Sequence, residues 1–131
     1  MKRIVPLKGR KTFQEVFKRG KRYAAEGVRI SVLRLTRDRE QQVRRIYREF
    51  DRGRDIVTGI TISRKYGTAV ERNRMKRRTR AIFRELLPGM APGFITVAHY
   101  DARGEALRYA VVRDRLAALL KRAGVYETHE D

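Results

Sequence analysis

The residues of this chain with the most distinctive chemistry are cations gathered in one short stretch. From Ser63 to Arg80 the sequence reads SRKYGTAVERNRMKRRTR, and Glu71 is the one acid within it. A guanidinium presents a planar fork of N–H donors that matches the oxygens of a phosphate group. Clusters of such groups bind the phosphate backbone of nucleic acids. The stretch therefore indicates polyanion binding rather than the making or breaking of bonds.

The element that must position these cations is a helix, because the sequence has helical periodicity from about Thr68 to Leu87. One narrow stripe of this helix is expected to pack, and it consists of Met75, Thr79, Ile82, Phe83 and Leu86. Arg72, Lys76 and Arg80 run beside that stripe. Like charges four residues apart destabilise an isolated helix by about 0.2–0.5 kcal/mol per pair. A helix that carries this repulsion is typical of one that binds a polyanion.

The composition of the whole chain agrees with a polyanionic partner. The 131 residues are enough for one domain, and 33 Lys and Arg against 15 acids give a net charge of +18. The chain has no apolar run near 18 residues and no lipidation motif, which argues against a membrane partner. Its start, MKRIVPLKGRK, lacks the apolar core of a signal peptide. We therefore expect a cytoplasmic protein bound to nucleic acid.

Residue types that carry catalysis or bind metals are scarce. The chain has no cysteine, which excludes disulfides and thiol chemistry. His99 and His129 stand alone and far apart, so they form no zinc-type cluster. The acids are scattered singly among basic residues, whereas two-metal hydrolysis requires clustered carboxylates. The sequence predicts no catalytic residue and no metal ligand in this chain.

The first third of the chain predicts an arm, a helix, a strand and an insertion. Residues 1–11 are basic and are expected to form an irregular, mobile arm. Thr12 and Glu15 match a capping box, which predicts a helix from about Phe13 that ends before Gly20. A strand is predicted from Val28 to Leu35, with Val28, Ile30 and Val32 on one side. Residues 37–55 are expected to hold a short amphipathic helix; they are either an insertion packed on the sheet edge or a lineage-specific partner surface.

The remaining elements complete an α+β pattern. Strands are predicted from Ile56 to Arg64 and from Phe94 to Tyr100 on either side of the basic helix. A closing helix ends at Gly124, and residues 125–131 are expected to fray. We expect a single-domain α/β sandwich over residues 1–131. It would have one mostly antiparallel four-stranded sheet with helices mainly on one face.

The stretch from Ser63 to Arg80 resembles the signature of the bacterial ribonuclease P protein family, the small protein partners of a catalytic RNA. The pattern is a Ser followed by basic residues, a Gly, Ala-Val, then Arg-Asn-Arg, Lys-Arg and a later Arg. This chain supplies it without a gap as Ser63, Arg64, Lys65, Gly67, Ala69, Val70, Arg72, Asn73, Arg74, Lys76, Arg77 and Arg80. A weaker resemblance covers 7–33 and 94–126, so most of the chain is included.

The resemblance implies two sets of RNA-binding residues. The catalytic RNA would be bound by Arg72, Asn73, Arg74, Lys76, Arg77 and Arg80. A groove for the single-stranded 5′ leader of precursor tRNA would be lined by Phe13, Phe17, Ser31, Ser63 and Lys65. From helical spacing alone, Phe13 and Phe17 are either core anchors or rings that stack on bases. Some family members have an aromatic residue in the place of Ser31, so a hydroxyl contact replaces base stacking there.

The resemblance also implies the reaction and the connectivity. The chain would be an accessory subunit, in a 1:1 complex with the RNA, of an endonuclease that removes the 5′ leader from precursor tRNA. Magnesium ions held by the RNA would run the hydrolysis, and this chain alone would bind no cofactor. The fold would be similar to the second domain of a small-subunit ribosomal protein. The connection through the basic helix would be left-handed, against the usual rule for such crossovers.

Two other classes of protein compete with this reading. A ribosomal-type structural RNA-binding protein would be equally basic, but nothing in that role calls for the motif from Ser63 to Arg80. A nuclease that works without RNA would need a cluster of carboxylates or histidines. The sequence supplies no such cluster.

Overall fold

A computed structural model describes residues 1–101 and 108–128, so His129 lies outside the described residues. Five strands and four helices are β1 (Arg3–Pro6), α1 (Arg10–Arg19), β2 (Lys21–Ala25), β3 (Val28–Arg34), α2 (Arg37–Ile46), β4 (Asp55–Ile62), α3 (Ala69–Leu86), β5 (Phe94–Tyr100) and α4 (Tyr109–Arg122). Short 3₁₀ turns follow β4 and α3, at Arg64–Tyr66 and Leu87–Gly89. The predicted α+β class is confirmed.

The strands form one mixed sheet in the order β1-β4-β5-β3-β2. β4 pairs in parallel with both β1 and β5, whereas β3 pairs antiparallel with both β5 and β2. The expectation of four strands in a mostly antiparallel sheet is therefore wrong. Two strands were missed, and they lie at the two edges of the sheet. β2 is the first half of a hairpin that turns at Gly27, where φ is 77°.

Helices cover both faces of the sheet, so the expectation of helices mainly on one face is also wrong. Successive side chains of a strand point to opposite faces. In β3, Val28, Ile30 and Val32 join the core under α3 and α4, whereas Leu33 joins a second core under α1 and α2. Val16 of α1 is a fully buried member of this second core. The sheet is the middle of three layers.

The expected irregular arm over residues 1–11 is wrong, because β1 and the start of α1 lie within it. Val5 and Leu7 are buried in the core under α1. Arg3 and Arg54 both form ion pairs with Asp55, whose side chain is fully buried. Burial would raise the pKa of Asp55, but hydrogen bonds from Arg54, Arg3 and the Asp51 N–H hold it well below its usual range. β1 is thus fixed by packing on one side and by a buried carboxylate at its start.

Helix α1 ends before Gly20 as predicted, but it begins three residues earlier than expected, at Arg10. Gly9 is the N-cap and makes no side-chain cap hydrogen bond. The Thr12 hydroxyl donates instead to the carbonyls of Lys8 and Gly9. The capping box predicted for Thr12 and Glu15 is therefore wrong, because Thr12 already lies in the first turn.

The helix predicted within 37–55 is present as α2. The Thr36 hydroxyl accepts a hydrogen bond from the Arg39 N–H and caps it. Val43 and Phe50 are buried in the core under α1 and α2, but Ile46 is 48% exposed. The segment packs through part of its apolar stripe and leaves the rest at the surface.

Helix α3 follows its prediction closely. The Thr68 side chain caps it together with Glu71 in a capping box. Its buried residues are the predicted stripe, Met75, Thr79, Ile82, Phe83 and Leu86. The Thr79 hydroxyl donates to the Met75 carbonyl and shares a hydrogen bond with the Tyr100 hydroxyl. Burial raises the pKa of Tyr100 to about 12.

The end of the described chain is only partly as expected. α4 buries Val112, Leu116, Leu119 and Leu120, and Gly124 follows it with a φ of 74°. Residues 125–128 were expected to fray, but Val125 is buried and Tyr126 forms a bridge with Met90. The expectation for 129–131 falls on residues outside the described part of the chain.

Candidate nucleic-acid interface

The outer surface of α3 carries mostly positively charged side chains. Packing of the buried stripe against the sheet turns the other side chains outward, so Asn73, Arg74, Arg77 and Arg80 are exposed and Lys76 is half-buried. Within the part of the chain that the structure describes, none of these four cations makes an ion pair. The guanidinium groups of Arg74, Arg77 and Arg80 are exposed and make no ion pair among the described residues, so their N–H donors are available to phosphate oxygens.

Arg72 has a different position from the other motif cations. Its guanidinium donates to the carbonyl of Gly67 at 2.7 Å, in the loop before the helix. In the same loop, the Ser63 hydroxyl accepts a hydrogen bond from the Lys65 N–H. The side chains of Arg72 and Ser63 therefore hold the loop that joins β4 to α3. Arg72 stabilises this part of the motif besides contributing charge.

A second site is a concave pocket of about 280 Å³ between α1 and the sheet. It is lined by Phe17, Arg22, Arg29, Ile30, Ser31 and His99. Phe17 and Ser31 were predicted from the resemblance to lie in one groove, and the fold brings them together. Ser31 is only 6% exposed and forms part of the pocket wall. The pocket combines one aromatic ring with several cationic or polar side chains.

His99 is the centre of a hydrogen-bonded network beside Phe17. Its Nδ1 lies 2.5 Å from the Thr61 hydroxyl, and its Nε2 lies 2.6 Å from the Asp101 carboxylate. Arg29 also pairs with Asp101. The hydrogen bond from His99 and the charge of Arg29 lower the pKa of Asp101. The network fixes the His99 ring edge-on to Phe17, with 5.8 Å between the ring centroids.

Three predicted groove residues do not line this pocket. Phe13 packs over Gly59 of β4, one helical turn away from Phe17. Ser63 and Lys65 lie in the turn after β4. Sequence reasoning missed Arg22 and His99 as lining residues, although the alternation along β3 had placed Arg29 on the same side as Ser31. Strand alternation within Phe94–Tyr100 could have placed His99 on the Val97 side.

The described residues offer no protein-held metal site. No group of three or more His, Asp or Glu side chains in that part of the chain is placed to hold a metal ion. Nor is any helix within the described ranges long and apolar enough to cross a membrane. The distinctive side chains of the described residues are cations and a few aromatic rings.

The mixed sheet, the arginine-rich helix and the net charge define a polyanion-binding α+β protein. A sequence model of the Ribonuclease P family matches residues 1–124. The ribonuclease P protein component of Geobacillus kaustophilus is 35% identical over 127 residues, which is 95% of this chain and 90% of that protein. That of Symbiobacterium thermophilum is 30% identical and covers 97% of both chains.

Solved structures show the same fold. The ribonuclease P protein of Thermotoga maritima is 29% identical and superposes with a TM-score of 0.67, over 90% of this chain and 96% of that one. The Staphylococcus aureus protein superposes with a TM-score of 0.70 at 22% identity, over 93% of this chain and 97% of that one. The chain belongs to the ribonuclease P protein family. It is the protein subunit of an endonuclease of tRNA processing, and its partner is the ribonuclease P RNA.

Proposed function

We propose that the two sites divide the RNA between them, with the catalytic RNA on α3 and the precursor tRNA leader in the pocket beside α1. The observation that carries this proposal is the exposed row of arginines on α3. Arg74, Arg77 and Arg80 are exposed there and make no ion pair among the described residues. Asn73, Lys76 and the partly committed Arg72 complete the set that would contact the catalytic RNA.

The pocket beside α1 supports leader binding through its ring and its cations. Stacking of a base on an aromatic side chain contributes about 1–3 kcal/mol and tolerates any base, which suits a leader of variable sequence. Phe17 supplies the ring and Arg22 supplies charge for the backbone, whereas Arg29 is already paired with Asp101. Ser31 would contribute a hydroxyl contact. Lys65, at the turn after β4, would extend the cationic surface along which the leader lies. The Ser63 hydroxyl instead accepts a hydrogen bond within that turn, and the Phe13 ring packs on Gly59.

The chain would act as an accessory subunit and not as the catalyst. Hydrolysis of a phosphodiester at neutral pH needs a group that activates water, and an arginine remains protonated and cannot serve as a base. We infer that magnesium ions held by the RNA supply that chemistry in a cytoplasmic 1:1 complex. The cations of this chain would reduce the repulsion between catalytic RNA and substrate.

Cross-linking tests this assignment against the ribosomal alternative. The tagged chain would be cross-linked to RNA in its own cells, and both the RNA and the linked peptides would be sequenced. We expect the ribonuclease P RNA on peptides of α3 and precursor tRNA leaders on peptides that contain Phe17. Enrichment of ribosomal RNA alone would favour a structural ribosomal role and contradict the proposal.

A further inference from the structure

The sheet has another cavity, at the edge where β1 stops. Its volume is about 560 Å³, within the range of sites that hold small ligands. α3 forms one wall, β1 forms the other, and Thr58, Gly59 and Ile60 of β4 form the floor. Phe13 is the one predicted groove residue that borders it. The cavity lies mainly on the α3 side of the sheet, away from the Phe17 pocket.

The lining of this cavity is apolar where a flat ring could lie. Ile4 and Ile60 face it from the sheet, Phe83 faces it from α3, and Leu87 faces it from the turn after that helix. Phe83 is buried, while Ile4, Ile60 and Leu87 pack against the same core and remain partly accessible. Apolar surface left open beside a core favours a ligand with an apolar face.

The rim of the cavity is cationic. Lys76, Arg80 and Arg84 follow one another at intervals of four residues along α3, so they stand in a row over the opening. In the described part of the chain these three make no ion pair. Arg3 lies across from them but is committed to Asp55. A ligand with a flat apolar body and negative charge beside it satisfies both the lining and the rim.

The backbone of β4 adds hydrogen-bonding groups at the same place. The Leu7 N–H donates to the Thr58 carbonyl, which therefore points toward β1. Backbone groups two residues apart in a strand point to the same side, so the N–H and C=O of Ile60 point there too. β1 has already ended at Pro6, and no other described strand pairs with β4 on that side. Ile60 thus offers one donor and one acceptor to an occupant.

We propose that this cavity binds one unstacked nucleotide of the catalytic RNA. Its base would stack between Ile4 and the α3 wall, with its edge facing the backbone of Ile60. The phosphates on either side would contact Lys76, Arg80 and Arg84. The proposal rests on the proposed function, because Lys76 and Arg80 belong to the motif assigned to the catalytic RNA.

Filling the cavity tests the proposal without removing any charge. Ile4→Trp would occupy the space of the base, and Ile46→Trp adds an equal ring on the exposed face of α2 as a control. We expect Ile4→Trp to weaken binding of the catalytic RNA roughly 5- to 150-fold, the loss of one stacked base. The slope of log affinity against log salt should not change, because no phosphate contact is removed. Leu87→Trp, which fills the cavity from the other wall, should act alike.

Chemical probing of the bases gives a second readout. One base of the catalytic RNA should be protected by the wild-type protein and by Ile46→Trp, and should become reactive with Ile4→Trp. If Ile4→Trp and Leu87→Trp both fold and match Ile46→Trp in affinity and in base protection, the proposed function is unaffected but the proposed cavity site is overturned. Loss of precursor tRNA affinity with unchanged catalytic-RNA affinity would also overturn it, since the nucleotide would then come from the substrate. Failure of the wild-type protein to bind the catalytic RNA would overturn the proposed function itself.

Discussion

The ring of Phe13 lies directly against the backbone of Gly59. A β-carbon built on Gly59 would stand 2.7 Å from Cε1 of that ring, closer than real side chains approach. Because Gly59 has no side chain, the Phe13 ring packs directly on β4 and fixes the position of α1 on the sheet. The position of α1 in turn places Phe17, one helical turn further, beside Ser31 and His99.

Gly59→Ala should therefore displace α1 and so disturb the pocket between α1 and the sheet. The added methyl group must push Phe13 away, and overpacking of this kind costs about 1–3 kcal/mol of stability. We expect lower stability in urea unfolding and weaker binding of precursor tRNA. Gly53→Ala is the matched control, because its β-carbon would meet nothing closer than 3.6 Å. Equal behaviour of the two variants would show that the contact with Phe13 does not position α1.

Phe17 should discriminate precursor tRNA from mature tRNA. Phe17→Ala removes a ring that is only partly buried, so about 1–3 kcal/mol of precursor affinity should be lost while mature tRNA is bound as before. Phe17→Leu is the control for packing, since it keeps apolar bulk without a face for stacking. Both affinities would be measured with the reconstituted complex, together with the melting temperature. Equal losses of affinity for both tRNAs, with a lower melting temperature, would show that Phe17 is a core residue and does not stack on the leader.

The exposed cations of α3 should determine how catalytic-RNA binding depends on salt. Replacing Arg74, Arg77 and Arg80 together with Ala should reduce the log–log salt slope by roughly 2–3, at about 0.7–0.9 per phosphate contact. The fold should survive, because all three side chains are exposed. The control is the triple replacement of Arg37, Arg45 and Arg48, which removes the same charge at another exposed surface. The same slope for both triple variants would contradict a specific interface on α3.

The buried carboxylate of Asp55 should make the free energy of unfolding depend on pH in the acid range. The pKa of this group is lower in the folded protein than its ordinary value of 3.8. Its contribution is therefore present above about pH 4 and is lost as the pH falls toward the folded pKa. Asp55→Asn should cost about 1.5–3 kcal/mol at pH 7, and its stability should fall less steeply between pH 4 and 2. Urea unfolding over this range checks both points, and parallel profiles would contradict the assignment.

What could be predicted from the sequence depended on how local the signal was. The boundaries of β5 and all five buried residues of the α3 stripe follow from short-range periodicity. Both missed strands depend on distant partners. β1 is only four residues long and pairs with Asp55–Thr58, 52 residues further along the chain. β2 lacks a clear alternation of apolar and polar residues, and only its pairing with β3 defines it.

The candidate site was predictable to a similar extent. The cations of α3 could be predicted from their type and spacing, and Arg74, Arg77 and Arg80 are exposed in the structure. The pocket between α1 and the sheet could not be predicted without the tertiary structure, because Arg22, Ser31 and His99 come from three different strands. Phe13 and Phe17 share a helix face, yet Phe13 packs on Gly59 whereas Phe17 lines the pocket with Ser31 and His99. No pattern within α1 could distinguish their roles.

The most direct test of the account is a cleavage assay on precursor tRNA over a series of magnesium concentrations. The protein alone, the catalytic RNA alone and the two together would be compared, with the protein treated beforehand by a nuclease that is then removed. We expect no cleavage by the protein alone and slow cleavage by the RNA alone at high magnesium. The two together should cleave at a lower magnesium concentration, because the bound cations reduce repulsion between the RNAs. Site-specific removal of the leader by the nuclease-treated protein alone would contradict the account.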